Sequence, residues 1–365
     1  EINLFEFGIY LPNINAVLDG FVPYKDFFHL RGPLELYVPA LFMRLFGENL
    51  AVLETYFYVG TVITLIIGIF IARELYQTRF VLYLLSLILI TRTFPRAVFN
   101  NWGGMRFGLG LLAILLVVHS FKGRKRGMFL LSGIVTGLAL LTSIEIGISA
   151  AVSILLAFAC AYFLKFFNKA EILNAIYFYF LGIAGIILPY ILYLIMTGSL
   201  GPYLETTYSV VANMTKTFPD YLYEDHPKNF LDALLGLNPF SRHFQHLTPA
   251  YCYIIFGLLI IFEKRKNRMK NILPGVLAVA FYGLIMYVSA FRKIGAAQFE
   301  MALQPEKILL FFILEHAFFY LRSMKNNSLA LPNKNALRWT KIFGINFLIF
   351  AFFMSTVGYA LARFN

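Results

Sequence analysis

The sequence predicts an all-α polytopic bundle of transmembrane helices, and three observations carry that reading. Charged residues make up 14% of the chain and hydrophobic residues 59%, whereas a water-soluble domain carries roughly a quarter charged residues. Apolar runs near the ~20 residues that cross a hydrocarbon core recur from end to end. When these runs alternate in direction, the two strongest basic clusters, Lys122–Arg126 and Glu263–Lys270, fall on one side, as cytoplasmic loops do. The net charge of +12 is then loop charge of a membrane protein, and no nucleic-acid partner is expected. Cys160 and Cys252 both lie in apolar runs, where they read as packing residues rather than a disulfide or metal pair.

The chain opens on a polar stretch, Glu6–Gly47, expected outside the membrane. Within it, Leu34–Phe46 has a helical apolar period but is too short to span. It reads as an interfacial helix with Arg44 snorkelling. Pro23-Tyr24-Lys25-Asp26 and Arg31-Gly32-Pro33 ahead of it are turn chemistry. Spans follow at Leu50–Ala72, Phe80–Thr91, Phe107–Phe121, Met128–Leu141 and Ile146–Leu164. Further spans are expected at Ile172–Met196, Pro249–Phe262, Leu273–Phe291, Lys307–Tyr320 and Ile342–Ala362, about ten in all. Pro189 is expected to kink its span.

The exterior pieces are Glu1–Gly47, Arg92–Arg106, the Ser143–Glu145 tip, Thr197–Thr248 and Arg292–Glu306. Two modules result: residues 1–165 with the first exterior loop 1–47, and residues 166–365 with the long exterior loop 197–248. No signal peptide precedes the polar start at Glu1, so an upstream helix is expected and the sequence reads as N-terminally truncated.

The first loop gathers Glu6, Asp19, Asp26 and Glu35 with Tyr10, Tyr24, Lys25, His29 and Arg31. Asp19 and Glu35 read as turn and helix-start residues. His29 reads as a loop hydrogen-bonder without a spaced metal-binding partner. Glu145 is an acid at a membrane edge, and Glu315-His316 is a structural pair inside a span. The long loop alternates aromatics and acids through Tyr203, Glu205, Tyr208, Asp220, Tyr221, Tyr223, Glu224, Asp225 and His226. That pattern suits sugar recognition and equally an interfacial aromatic belt. Glu224-Asp225-His226 has metal-ligand types without helical ligand spacing.

The run Phe5-Glu6-Phe7-Gly8-Ile9-Tyr10, then Gly20-Phe-Val-Pro-Tyr-Lys-Asp-Phe-Phe28, Gly32-Pro-Leu34 and Leu45-Phe-Gly47, resembles the first exterior loop of GT-C glycosyltransferases. The likeness is to the bacterial protein-mannosyltransferase and aminoarabinose-transferase-like members. It covers roughly the first 165 residues and includes Met105-Arg106-Phe107 at a helix start. Two departures stand out: Phe7 replaces the second acid of the family pair, and Arg92–Arg106 carries no carboxylate.

The resemblance implies an integral membrane glycosyltransferase of the plasma membrane, with its active face extracytoplasmic. Its donor would be a polyprenyl-phosphate sugar, its acceptor a hydroxyl on a glycan, lipid or protein, and transfer would invert the anomeric centre. Glu6 and Asp26 would be the catalytic carboxylates that take the hydroxyl proton. Arg96, Arg106, Arg292 and Lys293 would hold the donor phosphate. Tyr10, Tyr24, Lys25, His29, Arg31 and Glu145 would contact substrate. No cofactor is required, and a divalent cation is compatible with the pattern. The rivals are a transporter or flippase of a polar lipid and a non-catalytic membrane scaffold.

Overall fold

The computed structural model of the chain describes residues 4–29, 31–93, 105–123, 126–217, 231, 244–264, 272–290 and 304–327. These residues form twelve helices, and no strand occurs among them. Four helices are long and apolar enough to cross a membrane: α3 (Leu50–Leu75), α5 (Arg106–Gly123), α7 (Ile144–Phe163) and α8 (Lys169–Thr197). Shorter apolar stretches lie in α4 (Arg79–Thr93), α6 (Arg126–Thr142), α10 (Phe244–Lys264) and α11 (Leu273–Ala290). The last described helix is α12 (Gln304–Asn327). The expected span Ile342–Ala362 lies outside the described residues.

The predicted interfacial helix forms as α2 (Leu34–Phe46), between Pro33 and a Gly47 cap at φ 118°. Two helices appear where loop was expected. The first, α1 (Leu4–Leu18), carries Pro12 inside it. Its Tyr10 and Ile14, four residues apart, bury against Leu36, Ala40, Met43, Leu53 and Phe57. The polar residues between them had masked this period. The second, α9 (Leu200–Thr217), is amphipathic: Tyr203 and Thr207 are half-buried while Leu204, Glu205 and Tyr208 are exposed.

Small residues let the bundle close tightly. A Cβ on Gly182 of α8 would run into the Leu130 carbonyl of α6, and one on Gly133 of α6 into the Tyr179 carbonyl of α8. The backbones therefore touch, as in membrane helix pairs that gain dispersion contact rather than hydrophobic burial. Tyr179 Oη then donates to Thr136 Oγ1 across the pair at 3.1 Å.

The two ends of the bundle differ. At one end Glu74 of α3 takes Lys122 Nζ at 3.1 Å and faces His119 Nδ1 at 3.3 Å, both on α5. At the same end Glu315 of α12 accepts from Gln77 N, Thr78 N and Thr78 Oγ1 at 3.0, 2.7 and 2.6 Å. It thereby caps the start of α4, the structural role read for it from sequence. The opposite end gathers the 19–33 turn, the α6–α7 junction and the last turn of α8. Gly32 N donates to Thr142 O at 3.1 Å and Lys25 Nζ to Thr197 O at 3.1 Å.

Replacing Gly182 by Leu is expected to lower stability by about 1–3 kcal/mol through overpacking. Gly185→Leu, where an added Cβ meets nothing within 4 Å, should leave the thermal unfolding midpoint in detergent unchanged. Equal midpoints for the two variants would refute the close packing of α6 on α8.

Candidate functional site

The site is built where the 19–33 turn folds back over α2. Gly20 leaves α1 at φ 91°, a left-handed value that glycine adopts without cost. Val22 N then donates to Asp26 Oδ2 at 2.7 Å, and Asp26 N returns a bond to Val22 O at 2.9 Å. Tyr24 sits at φ 70°, an uncommon value for an aromatic residue. It is held there by its N–H on Phe27 O at 2.9 Å and by its hydroxyl on the Arg31 carbonyl. Gly32 lies flat on the α6–α7 junction, where a Cβ would strike the Leu141 carbonyl. Three residues later Glu35 enters the bundle on the first turn of α2.

Glu35 is 6% exposed and collects the surrounding cations on one oxygen. Tyr10 Oη donates to Glu35 Oε1 at 2.7 Å, Arg31 Nη1 lies 3.2 Å from it, and Arg106 Nη1 lies 3.7 Å from it. Arg31 also donates to the Tyr10 hydroxyl and holds its guanidinium 5.4 Å from the Tyr10 ring centroid. Arg106, at the first position of α5, is buried with its guanidinium 4.7 Å from the Phe107 ring centroid. The second oxygen, Glu35 Oε2, is buried without a hydrogen-bond partner. Two guanidiniums meet at this carboxylate, and fixed guanidiniums at a membrane-proximal end are the groups that hold an anion such as a phosphate.

His29 adjoins this cluster. It is 3% exposed, and among the described residues neither ring nitrogen makes a hydrogen bond of ordinary geometry, although the Gly32 backbone lies near enough to act on the ring. Burial holds its pKa below the ordinary 6.5, against the opposing pull of the Glu35 charge and the Gly32 backbone. A wall of tyrosines continues from it: the Tyr24 ring is 6.1 Å from His29 and 5.0 Å edge-on from Tyr203. Tyr203 in turn meets Tyr190 at 5.8 Å, and Tyr37 Oη lies 2.9 Å from Tyr193 Oη. Burial raises the pKa of Tyr24 and Tyr37, so these phenols stay neutral hydrogen-bonding groups.

Of the residues singled out in the sequence, Tyr10, Arg31 and Arg106 converge on one point, with Tyr24 and His29 beside it. Lys25 and Asp26 are exposed; Lys25 ties the turn to α8, and Asp26 closes the turn on itself. Glu145, on the first turn of α7, bonds the Ser289 hydroxyl of α11. Glu6 stands in α1 one helical turn before Tyr10, its side chain outside the described residues; Arg96, Arg292 and Lys293 also lie outside them. Among the described residues no group of three His, Cys, Asp or Glu could hold a metal.

Sequence reading passed over Glu35. Its signal was phase: Glu35, Pro39 and Met43 stand four residues apart on the buried stripe of α2. An acid in step with an apolar stripe is a buried acid.

Glu35→Ala leaves two arginines around a vacated carboxylate. Loss of one partner of a buried ion pair costs about 3–5 kcal/mol, so Glu35→Ala should unfold well below Glu35→Gln in a detergent thermal melt. A second outcome concerns pH. Because His29 titrates below its unfolded value, the unfolded chain binds the extra proton first as pH falls. Its contribution to stability is therefore full above about 6.5 and declines below it. His29→Asn should remove that part of the acid slope; an unchanged slope would show that His29 is not the group responsible.

No family model matches the chain, and no curated protein matches it. Among solved structures it is similar to the crystal structure of the Archaeoglobus fulgidus oligosaccharyltransferase complex with Zn and sulfate. The TM-score is 0.51 at 13% identity, covering 97% of this chain and 48% of that one. This chain thus spans about half the length of that protein, and at such identity the likeness is one of fold. It extends over nearly the whole chain, well past the N-terminal part in which the motif resemblance lay.

Proposed function

We propose that the chain is an integral membrane glycosyltransferase moving a sugar from a polyprenyl-phosphate-linked donor to an acceptor hydroxyl, on the extracytoplasmic face of the plasma membrane. One observation carries the reading: Arg31 and Arg106, from a turn and from the start of an apolar helix, converge on the buried Glu35–Tyr10 pair. A lipid phosphate brought up along α5 would meet fixed cations there, and fixed charges at a leaving group cost no reorganisation during reaction.

In this reading Glu6, one turn before Tyr10 on α1, takes the proton of the acceptor hydroxyl. The acceptor oxygen bonds to the anomeric carbon while the bond to the phosphate oxygen breaks. The lipid phosphate leaves with the electron pair, held by Arg31 and Arg106, and attack from the opposite face inverts the centre. Arg96, Arg292 and Lys293 add charge around the same phosphate. Asp26 shapes the turn that carries Tyr24, and Glu145 with Ser289 frames the neighbouring wall. The acceptor is a glycan, lipid or protein hydroxyl. The scheme needs no cofactor, and chelation by EDTA tests for a divalent cation.

A second reading, a flippase of a polar lipid, rests on one specific observation. Glu306 is fully buried with Lys307 2.8 Å from its carboxylate. The next residue, Ile308, accepts Tyr76 Oη at 2.7 Å, and Glu315 sits at the α3–α4 turn. Nine residues of helix separate Glu306 from that turn, about 13 Å, and a buried ion pair that far from the bundle's end is of the kind that serves transport when it lies within a bilayer.

In liposomes bearing a radiolabelled polyprenyl-phosphate sugar, label is expected to pass to an acceptor. Arg106→Lys, chosen to keep a charge beside Glu35, should lower kcat/KM by about 10²-fold, and Glu6→Gln should lower it further. Undiminished transfer by Glu6→Gln would remove Glu6 from the chemistry. Label crossing the bilayer with no transfer would establish the flippase instead.

A further inference from the structure

Among the described residues three polar atoms beneath the Tyr24 turn make no hydrogen bond of ordinary geometry: His29 Nδ1, His29 Nε2 and Glu35 Oε2, with only the Gly32 backbone near the imidazole. Their residues are only 3% and 6% exposed, in a protein end otherwise dense with hydrogen bonds. Buried polar groups are nearly always satisfied, and leaving three together unsatisfied costs stability that a structural role would not require. Their chemistry is also complementary. A neutral imidazole offers one donor and one acceptor, while a carboxylate oxygen only accepts. A hydroxyl brought to both would give its proton to Glu35 Oε2 and take one from the imidazole. Tyr24 and Tyr203, edge-on at 5.0 Å, form the adjoining wall, and aromatic walls with nearby hydroxyl-readers suit the alternating apolar and polar faces of a pyranose.

We propose that His29 and the second carboxylate oxygen of Glu35 form a hydroxyl-recognition pair, which with Tyr24 and Tyr203 binds an uncharged pyranose ring. The pair is sealed by the turn above it, so the ring enters as residues 20–27 lift. The turn is built for this: Gly20 hinges it with open space around its α-carbon, and Tyr24 is held at a φ of 70° by its bonds to Phe27 and Arg31. Strained residues of this kind persist where an alternative state has use. The inference rests on the glycosyltransferase reading for its purpose, but the binding itself does not depend on turnover.

The test uses the full chain in phosphatidylcholine nanodiscs, labelled with ¹⁵N at histidine; His29 is assigned by the signal lost in His29→Asn. Methyl α-mannoside, α-glucoside and α-galactoside are titrated, followed by undecaprenyl phosphate alone. At least one glycoside should shift the His29 ring signals saturably, while undecaprenyl phosphate alone should not. Tyr203→Ala should weaken that binding by ~10-fold, the worth of a stacking or hydrogen-bond contact. If no glycoside moves the His29 signals, or if only undecaprenyl phosphate does, the assignment is overturned. In a transfer assay His29→Ala should raise KM ~10-fold with kcat nearly constant, and His29→Asn, which restores one donor, should recover most of it. Saturable glycoside binding without transfer from any lipid-linked sugar would leave this pair standing and remove the glycosyltransferase reading. Transfer with an unchanged KM in His29→Ala would do the reverse.

Discussion

One buried carboxylate oxygen fixes the geometry of the end of the bundle that holds the 19–33 turn. Glu35 Oε1 receives Tyr10 from α1, faces Arg31 from the turn and lies near Arg106 at the head of α5. None of these groups is stable alone in that setting, because an unpaired buried charge costs several kcal/mol. Together they lock four chain segments into one register. The first turn of a helix is also where the backbone dipole favours an anion. On its other side the same α1–α2 unit rests on α3 through the apolar cluster of Tyr10, Ile14, Leu36, Met43 and Phe57. Tyr10 belongs to both, its ring edge-on to Phe57 at 5.4 Å and its hydroxyl in the polar knot.

What the sequence discloses follows from how strong each periodic signal is. The runs at Leu50–Ala72 and Ile172–Met196 are long and nearly uniform, and helices stand there in the structure. The run from Leu34 to Phe46 was legible because its caps, Pro33 and Gly47, frame it. α1 was not legible, because Asn13, Asn15 and Pro12 interrupt its apolar face and made it resemble a loop. α9 hid for a similar reason: its exposed side carries Glu205 and Tyr208, which read as loop chemistry.

The site divides in the same way. Tyr10, Arg31 and Arg106 could be nominated from residue type and motif, since a cation near a membrane boundary is conspicuous. That they meet is tertiary information, set by the Gly32 contact with Leu141 and Thr142 more than a hundred residues away. Glu35 reads as a helix-start residue because its local context, an acid two residues after Pro33, accounts for it fully. His29 reads as a loop hydrogen-bonder, and the Gly32 backbone of its own loop does act on it, but the depth of its burial is not written in the loop. Burial of a polar side chain depends on what folds over it, and the covering turn has no signature beyond its glycine and proline.

The contact between Lys25 and the Thr197 carbonyl carries a further consequence. Helix α8 has 29 residues, about 43 Å of rise, against a hydrocarbon core of ~30 Å. Only 17% of its most apolar window is buried in the protein, which leaves most of that window open to lipid where the helix crosses a membrane. A helix so long and so bare meets hydrophobic mismatch by tilting, and the tilt follows acyl-chain length. Its last turn is the anchor for the 19–33 turn, so a thinner bilayer that tilts α8 also drags on Tyr24 and Arg31. Lipid composition would thereby become a mechanical input to the turn, with bilayer thickness setting how firmly it is held down.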